Sequence, residues 1–160
     1  MMEINFSDEF LTEKEHNIVL DYCVNADYRY GETDDLDTPQ TGMTHNIPET
    51  HFVYKLFKKK LSDSVSELQG RKLYRMYVNC FAPNENPYFH KDGETGITFL
   101  YYPNKDWDVQ DGGETQFYMD GNLYGIVPQP NRLVVFPANV LHRATTFRNQ
   151  HRFTVAIKYQ

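Results

Sequence analysis

The chain has 160 residues, which is enough for one domain with one sizeable hydrophobic core. Its 12 tyrosines and 11 phenylalanines, within an ordinary hydrophobic content of 40%, exclude an intrinsically disordered protein. The net charge of -6 argues against a surface that grips nucleic-acid phosphates, and no apolar run approaches the ~20 residues of a membrane span. We therefore expect a globular protein with neither nucleic-acid nor membrane partners.

The amino-terminal residues MMEINFSDEF contain no basic segment followed by an apolar one, so we expect no secretory signal. The two cysteines, Cys23 and Cys80, lack the spacing of a metal site and are typical of a reducing compartment. These features predict a cytoplasmic location and leave the oligomeric state open.

The first part of the chain contains two helical patterns. Thr12 and Glu15 form a Thr-x-x-Glu capping box, and apolar residues of the segment 19–26 share one helical face after it. A second helix is predicted between the start signal Pro48 and the stop signal Gly70, because apolar residues recur there at three- and four-residue steps.

The acidic segment between these helices, Gly31 to Asn46, contains glycine and proline and has no periodicity. We interpret it as a loop. We favour a solvated connector over a substrate lid, and we keep the lid as the alternative interpretation.

Short strands separated by turn residues are predicted from Leu73 onward. Asp120-Gly121 lies between two alternating runs and predicts a two-residue hairpin, because both residues tolerate positive φ. Seven or more strands after two helices predict a β-sandwich or barrel backed by helices. The runs with strand composition are LYRMYVNCF, GITFLYY, TQFYM, LYGIV, RLVVF, LHRATTF and RFTVAIKY.

His90 and Asp92 indicate a metal site. Residues i and i+2 of a strand project from the same face, about 6–7 Å apart, so both side chains can reach one ion. An imidazole nitrogen and a carboxylate oxygen suit iron(II), and a second imidazole would complete a set that leaves coordination positions open. His142, at the start of a late strand, is the best candidate for that imidazole, and His151, in a polar turn, is the competitor.

The last predicted strand begins at Arg152. Alternation places Arg152, Thr154 and Ala156 on one face, and the apolar residues at 153, 155 and 157 on the other. The apolar face should pack against the helices, and the first face should line a cavity beside the metal site. An inward arginine must meet an anion, because burying it unpaired is costly, and its planar fork suits a carboxylate.

The pattern His90-x-Asp92, then His142, then Arg152 ten residues later, resembles the iron(II)- and 2-oxoglutarate-dependent oxygenases, in particular their prolyl-hydroxylase branch. The segments LYYPNKDW and GGETQF add to this resemblance, which covers Leu73 to Tyr159.

The resemblance implies a mainly β fold, a double-stranded β-helix (jelly roll) packed by two N-terminal helices. This agrees with the helix-then-strand order of the predicted elements. We therefore expect a single oxygenase domain over residues 1–160, with helical support in 1–70 and the jelly-roll core in 71–160.

The resemblance also implies roles for individual residues. Iron(II) would bind to His90, Asp92 and His142, and Arg152 would pair with the distal carboxylate of 2-oxoglutarate. Tyr102 would donate a hydrogen bond to the same carboxylate. The strand face that carries Tyr102 would supply two further cosubstrate-pocket residues, Thr98 and Leu100.

The implied reaction is hydroxylation of an unactivated C–H bond with iron(II), 2-oxoglutarate and dioxygen, and its co-products are succinate and carbon dioxide. Ascorbate is a further cofactor that the resemblance allows. The expected substrate is a prolyl residue of a peptide or protein, and a free amino acid or another small molecule is the alternative. The loops that could recognise a substrate are Gly31 to His45, Pro83 to Tyr88 and Asn104 to Asp111.

Two further observations concern specificity. A non-catalytic cupin-like module that binds metal or ligand is the alternative of another class, but cupins usually show His-x-His where this chain has His90-Lys91-Asp92. Relatives within the oxygenases often carry a tryptophan late in the last strand, where this chain has Lys158. That difference concerns the region around the substrate.

Overall fold

The computed structural model describes residues 3–160, and its elements follow the helix-then-strand order that the sequence predicts. Helix α1 spans Glu13–Asn25, helix α2 spans Phe52–Ser64, and a short 3-10 turn at Ser66–Leu68 follows α2. The strands are β1 (Asn5–Ser7), β2 (Met43–Asn46), β3 (Leu73–Phe81), β4 (Ile97–Tyr101), β5 (Thr115–Met119), β6 (Asn122–Ile126), β7 (Leu133–Pro137), β8 (Leu141–Ala144) and β9 (Arg152–Tyr159).

The strands form two antiparallel sheets that face each other. The larger sheet has the order β1-β7-β4-β9-β3-β2, and the smaller sheet has the order β6-β5-β8. Phe117 of β5 packs against Phe136 of β7, with ring centroids 5.0 Å apart, in a hydrophobic cluster that joins the two sheets. This arrangement is the double-stranded β-helix expected from the sequence, so the fold prediction is confirmed.

The two helices cover the outer face of the larger sheet. Val19 and Cys23 of α1, and Val53 and Phe57 of α2, are fully buried in one cluster with residues of that sheet. Burial of these side chains stabilises the helices, because a fully buried Val or Phe contributes roughly 1.5–3 kcal/mol relative to an exposed position. Neither α1 nor α2 has the length and apolar content that a membrane crossing requires.

The starts of the helices depend on local capping. The hydroxyl of Thr12 accepts a hydrogen bond from the Glu15 N–H at 3.3 Å, and the Glu15 carboxylate accepts one from the Thr12 N–H at 2.9 Å. The predicted capping box is therefore confirmed. Helix α2 begins a few residues after Pro48, because the ring of His51 caps it by accepting a hydrogen bond from the Val53 N–H at 3.1 Å.

Two edge strands of the larger sheet have no signal in the sequence. Strand β2 pairs with β3 and occupies the end of the acidic segment 31–46, so the loop interpretation is wrong for its last residues. Strand β1 pairs with β7 near the amino terminus. Strands of three or four residues are too short to show alternation, and hydrogen bonds to a neighbouring strand decide whether they form.

The hairpin between β5 and β6 is confirmed. Met119 and Asn122 are register partners, and the two residues between them, Asp120 and Gly121, have φ values of 50° and 78°. Positive φ at both central positions is the geometry of a tight hairpin turn whose twist matches that of the flanking strands.

We expect Gly96→Ala to destabilise the protein more than Gly121→Ala. Both glycines have positive φ, so each substitution adds about 1–2 kcal/mol of backbone strain. A Cβ at Gly96 would also collide with the carbonyl oxygen of Tyr159, which adds about 1–3 kcal/mol, whereas a Cβ at Gly121 meets open space. Urea unfolding measures both losses, and equal losses would contradict this account of the β4–β9 contact.

Candidate metal centre

Two segments bring the three candidate ligands together. His142 lies in β8, and His90 lies beside it on the connection between β3 and β4. The two residues exchange backbone hydrogen bonds, each 3.0 Å from nitrogen to oxygen, so His90 extends the smaller sheet by one bridge. Asp92 follows in a bend, where its N–H donates to the carbonyl oxygen of Ala138 at 2.9 Å. The sequence predicts that His90 and Asp92 lie on one strand, but only His90 pairs with a strand. The turn between β7 and β8 positions Asp92.

The three side chains converge on one point. The Nε2 atom of His90 lies 3.7 Å from Asp92 Oδ1, and the Nε2 atom of His142 lies 3.6 Å from Asp92 Oδ2. One ligand atom from each residue lies within 4.8 Å of the others. Two imidazole nitrogens and one carboxylate oxygen form the donor set that suits iron(II) with coordination positions left for other ligands. The side chains present therefore fit such an ion.

Backbone carbonyl groups orient the two imidazole rings. The Nδ1–H of His142 donates to the carbonyl oxygen of Val140 at 2.9 Å, and Nδ1 of His90 lies 3.2 Å from the carbonyl oxygen of Tyr88. Burial lowers the pKa of His142 to about 4. At neutral pH this ring is therefore uncharged, and its Nε2 lone pair is available to a metal.

Two donors from the larger sheet hold the carboxylate of Asp92. The hydroxyl of Thr98 donates to Oδ2 at 2.6 Å, and the ammonium group of Lys158 lies 2.7 Å from Oδ1. Burial alone would raise the pKa of Asp92, but nearby His142, Lys158 and the Thr98 hydroxyl outweigh it, and the pKa lies below its usual value. Lys158 is the cation that matters at neutral pH, because His142 is then neutral. Asp92 is therefore a carboxylate.

The triad opens onto a cavity of about 190 Å³ between the two sheets. The cavity face of β9 carries the alternate residues Arg152, Thr154, Ala156 and Lys158, and the residues at 153, 155 and 157 pack toward the helices. The predicted alternation of this strand is therefore confirmed. Small side chains in the middle of the strand leave room between a cation at each end.

Arg152 is a buried cation without an acidic partner. Its side chain is 1% exposed, and none of the ion pairs among residues 3–160 includes it. Its Nε–H donates to the carbonyl oxygen of Gly113 at 2.8 Å, and Nη2 donates to the Thr115 hydroxyl at 2.9 Å. Two neutral acceptors orient the guanidinium, and no carboxylate of residues 3–160 lies within ion-pair distance of it, so the site suits an anion in the cavity.

The other three predicted pocket residues have different positions. Leu100 lines the cavity. Thr98 is fully buried and donates to Asp92, so its contact is with a ligand rather than with the cavity. The hydroxyl of Tyr102 lies 2.7 Å from that of Thr115, which lines the cavity, and the Tyr102 ring lies 5.5 Å from the Arg152 guanidinium. Tyr102 therefore lies behind Thr115.

The remaining histidines have structural contacts or face solvent. His16 hydrogen-bonds to Tyr101 at 2.5 Å, and His45 hydrogen-bonds to Tyr22 at 2.7 Å. His151, the competitor for the second imidazole, is exposed. Across residues 3–160 the one group of His, Cys, Asp or Glu side chains with metal-binding geometry is His90, Asp92 and His142.

The contacts of two residues with the triad were not predicted from the sequence: Lys158 was noted only as a departure near the substrate region, and Asp34 was not singled out. Lys158 could have been found by extending the alternation of β9 one step beyond Ala156. Asp34 could not, because it lies in a segment without periodicity. Its Oδ1 lies 3.3 Å from Nδ1 of His90, and its Oδ2 accepts hydrogen bonds from the Tyr88 N–H at 2.7 Å and the Thr41 hydroxyl at 2.9 Å. The segment 31–42 is thereby connected to a candidate metal ligand.

Comparison with known proteins gives a match to the part of the chain that carries the candidate site. The family model of the 2OG-Fe(II) oxygenase superfamily matches residues 73–159, which include all three triad residues and Arg152. No curated protein sequence is significantly similar to the chain.

Solved structures share the fold at low sequence identity. A prolyl-4-hydroxylase from Pseudomonas putida has a TM-score of 0.80 and 14% identity, over 98% of this chain and 91% of that chain. A prolyl hydroxylase from Trichoplax adhaerens, in complex with a hypoxia-inducible-factor peptide fragment, has a TM-score of 0.77 and 19% identity, over 98% and 82%. HygX from Streptomyces hygroscopicus, with nickel and 2-oxoglutarate bound, has a TM-score of 0.76 and 10% identity, over 98% and 82%.

We expect Lys158→Met to destabilise the metal-free protein by about 3–5 kcal/mol, because it leaves the buried Asp92 carboxylate without a counter-charge. Added Co(II) should offset most of this loss, since the metal supplies that charge. Urea unfolding with and without Co(II) measures both quantities. Lys158→Arg keeps the cation and is the matched control. A metal-induced gain no larger for Lys158→Met than for the wild type would contradict this account.

We expect Asp34→Asn to weaken metal binding about 10-fold, because a carboxylate behind a histidine ligand orients the ring and raises its basicity. Anaerobic Co(II) titration, followed by visible absorption, measures the affinity. Asp37→Asn is the control, since Asp37 lies on the same segment and is exposed to solvent. Equal affinities for the two variants would show that Asp34 has no such role.

Proposed function

Because the chain belongs to the 2OG-Fe(II) oxygenase superfamily, we propose that it hydroxylates an unactivated C–H bond with 2-oxoglutarate as cosubstrate, and that succinate and carbon dioxide are the co-products. The superfamily implies iron(II), 2-oxoglutarate and dioxygen. One observation carries the proposal: a His-Asp-His triad and a buried arginine without an acidic partner open onto the same cavity.

In this proposal His90, Asp92 and His142 hold iron(II). The ion, with 2-oxoglutarate and dioxygen bound, supplies the oxidising chemistry that a protein side chain lacks. The chain supplies two imidazoles and one carboxylate. Val140 fixes the His142 ring, and Thr98 and Lys158 hold the carboxylate of Asp92, so the ligands are oriented before any ion binds.

Arg152 would bind the distal carboxylate of 2-oxoglutarate. The contacts of its side chain with Gly113 and Thr115 hold the planar guanidinium in place, so little rotamer entropy is lost when a carboxylate binds. Thr115 can also donate to that carboxylate, because Tyr102 can donate to Thr115 in turn. Tyr102 would then act on the cosubstrate through Thr115 rather than by direct contact.

For the substrate, the leading proposal is a prolyl residue of a peptide or protein. The resemblance of the motifs supports it, as does the similarity of the fold to two prolyl hydroxylases, one of which is in complex with a peptide fragment. A free amino acid or other small molecule is the second candidate. The observation that favours this candidate is the cation Lys158 at the triad, which a neutral prolyl side chain does not require.

The test of the function is succinate formation from 2-oxoglutarate by the protein with iron(II) and ascorbate, screened against proline-containing peptides and free amino acids. We expect succinate together with a substrate mass gain of one oxygen atom. His142→Ala, which removes a triad ligand, should abolish both. Absence of succinate with every substrate of the screen would overturn the catalytic proposal.

We expect Arg152→Ala to weaken 2-oxoglutarate binding at least about 30-fold while metal affinity stays within about 3-fold, since truncating one partner of a buried charge pair costs about 2–5 kcal/mol. Anaerobic titration of the Co(II)-loaded protein with 2-oxoglutarate measures the first quantity, and Co(II) titration measures the second. Arg152→Lys keeps the charge without the planar fork, so its affinity for 2-oxoglutarate should lie between that of the wild type and that of Arg152→Ala. A parallel loss of both affinities would mean that Arg152 supports the fold and not the cosubstrate.

A further inference from the structure

Strand β9 places a cation at each end of the cavity. Arg152 and Lys158 are six residues apart on the same face, which is about 20 Å along a strand. The proposed function uses Arg152 for the cosubstrate and Lys158 to hold the carboxylate of Asp92. The Lys158 side chain is 11% exposed, so its charge is held in a poorly hydrated place.

A second cation lies next to Lys158. Arg75 of β3 is its register partner on β9, and both line the cavity. The guanidinium of Arg75 stacks on the ring of Tyr77 at 4.0 Å, and the ammonium group of Lys158 lies 5.1 Å from the same ring. Tyr77 therefore positions both cations at one end of the cavity.

The structure already places a carboxylate at this end. Glu32, from the segment 31–42, forms an ion pair with Arg75, and its side chain is 43% exposed. Ion pairs this exposed are weak, typically below about 1 kcal/mol, so another carboxylate can displace Glu32. Arg75 thus has carboxylate-binding geometry in a position that lines the cavity.

The ammonium group of Lys158 can bind more than one carboxylate. It lies 2.7 Å from Asp92 Oδ1, and an ammonium group has three N–H donors, so a second carboxylate can bind while the contact with Asp92 is kept. In the loaded site Asp92 would also bind the metal ion, and its negative charge would then be shared between two cations. An anionic group on the substrate would therefore stabilise the poorly hydrated charge of Lys158.

We propose that Lys158 and Arg75 form an anion subsite, and that the substrate carries a carboxylate that binds there. The substrate class is a free amino acid rather than an interior prolyl residue, which has no carboxylate. This inference rests on the proposed function and selects between its two substrate candidates. The competing explanation is that Lys158 serves only as the counter-ion of Asp92.

Direct binding tests the subsite without turnover. The protein is loaded with Co(II) and saturating 2-oxoglutarate under anaerobic conditions and titrated with free amino acids, each paired with its own carboxamide. We expect at least one amino acid to bind at least about 10-fold tighter than its carboxamide, a ratio that corresponds to about 1.4 kcal/mol. If no amino acid is preferred over its carboxamide, the subsite is overturned.

Variants identify the residues responsible. In Lys158→Gln the preference for the carboxylate should fall to about 2-fold or less, and Arg75→Gln should reduce it. Lys91→Gln removes another cavity-lining lysine, whose side chain is 47% exposed. This variant should retain the preference for the carboxylate. Free amino acids can also chelate Co(II) in solution, but that chelation does not depend on Lys158. The difference in carboxylate preference between the variant and the wild type therefore reports on the subsite. An unchanged preference in Lys158→Gln would leave Lys158 as the counter-ion of Asp92 alone.

Failure of the subsite can be told apart from failure of the function. Binding of Co(II) and 2-oxoglutarate is measured before any amino acid is added, and succinate formation is measured separately. If the cosubstrate binds and succinate forms while carboxylates are not preferred, the subsite alone is wrong. If the cosubstrate does not bind, the proposed function and the subsite both fail.

Discussion

The site depends on one buried carboxylate and the two groups that hold it. Asp92 lies between the sheets, where an unpaired charge is far more costly than at the surface. Thr98 of β4 and Lys158 of β9 each donate to one of its oxygens. Both donors belong to the larger sheet, whereas His142 belongs to the smaller one. Asp92 is therefore the point at which the chemistry of the site joins the two halves of the fold.

The fold also separates the cations that line one cavity. The cavity face of β9 has cations at both ends and small residues between them, and Tyr77 of the neighbouring strand lies close to Lys158 and Arg75. Distributing the cations over about 20 Å of strand keeps these like charges apart. In the proposed function the same spacing provides separate partners for the cosubstrate and for an anionic substrate.

Local signals predicted most of the elements because they act over a few residues. The Thr12 capping box, the hairpin at Asp120-Gly121 and the alternation that follows Arg152 are all present in the structure. Strands β1 and β2 left no comparable signal, since three or four residues show no period and their hydrogen bonds come from distant parts of the chain. Asp34 was missed for the same reason: its contact with His90 joins segments far apart in sequence.

The sequence alone determined the types of group available to the site: two imidazoles, one carboxylate and an arginine ten residues after the second histidine. It also determined that β9 would turn its small and charged residues to one side, because side-chain direction follows from strand periodicity. Only the tertiary structure decided that the loop segment carrying Asp92 would be bound to the turn before β8, and that Lys158 would reach that carboxylate. Those contacts depend on the closure of two sheets over a common cavity, and no local pattern encodes the distance between residues that the chain brings together from separate strands.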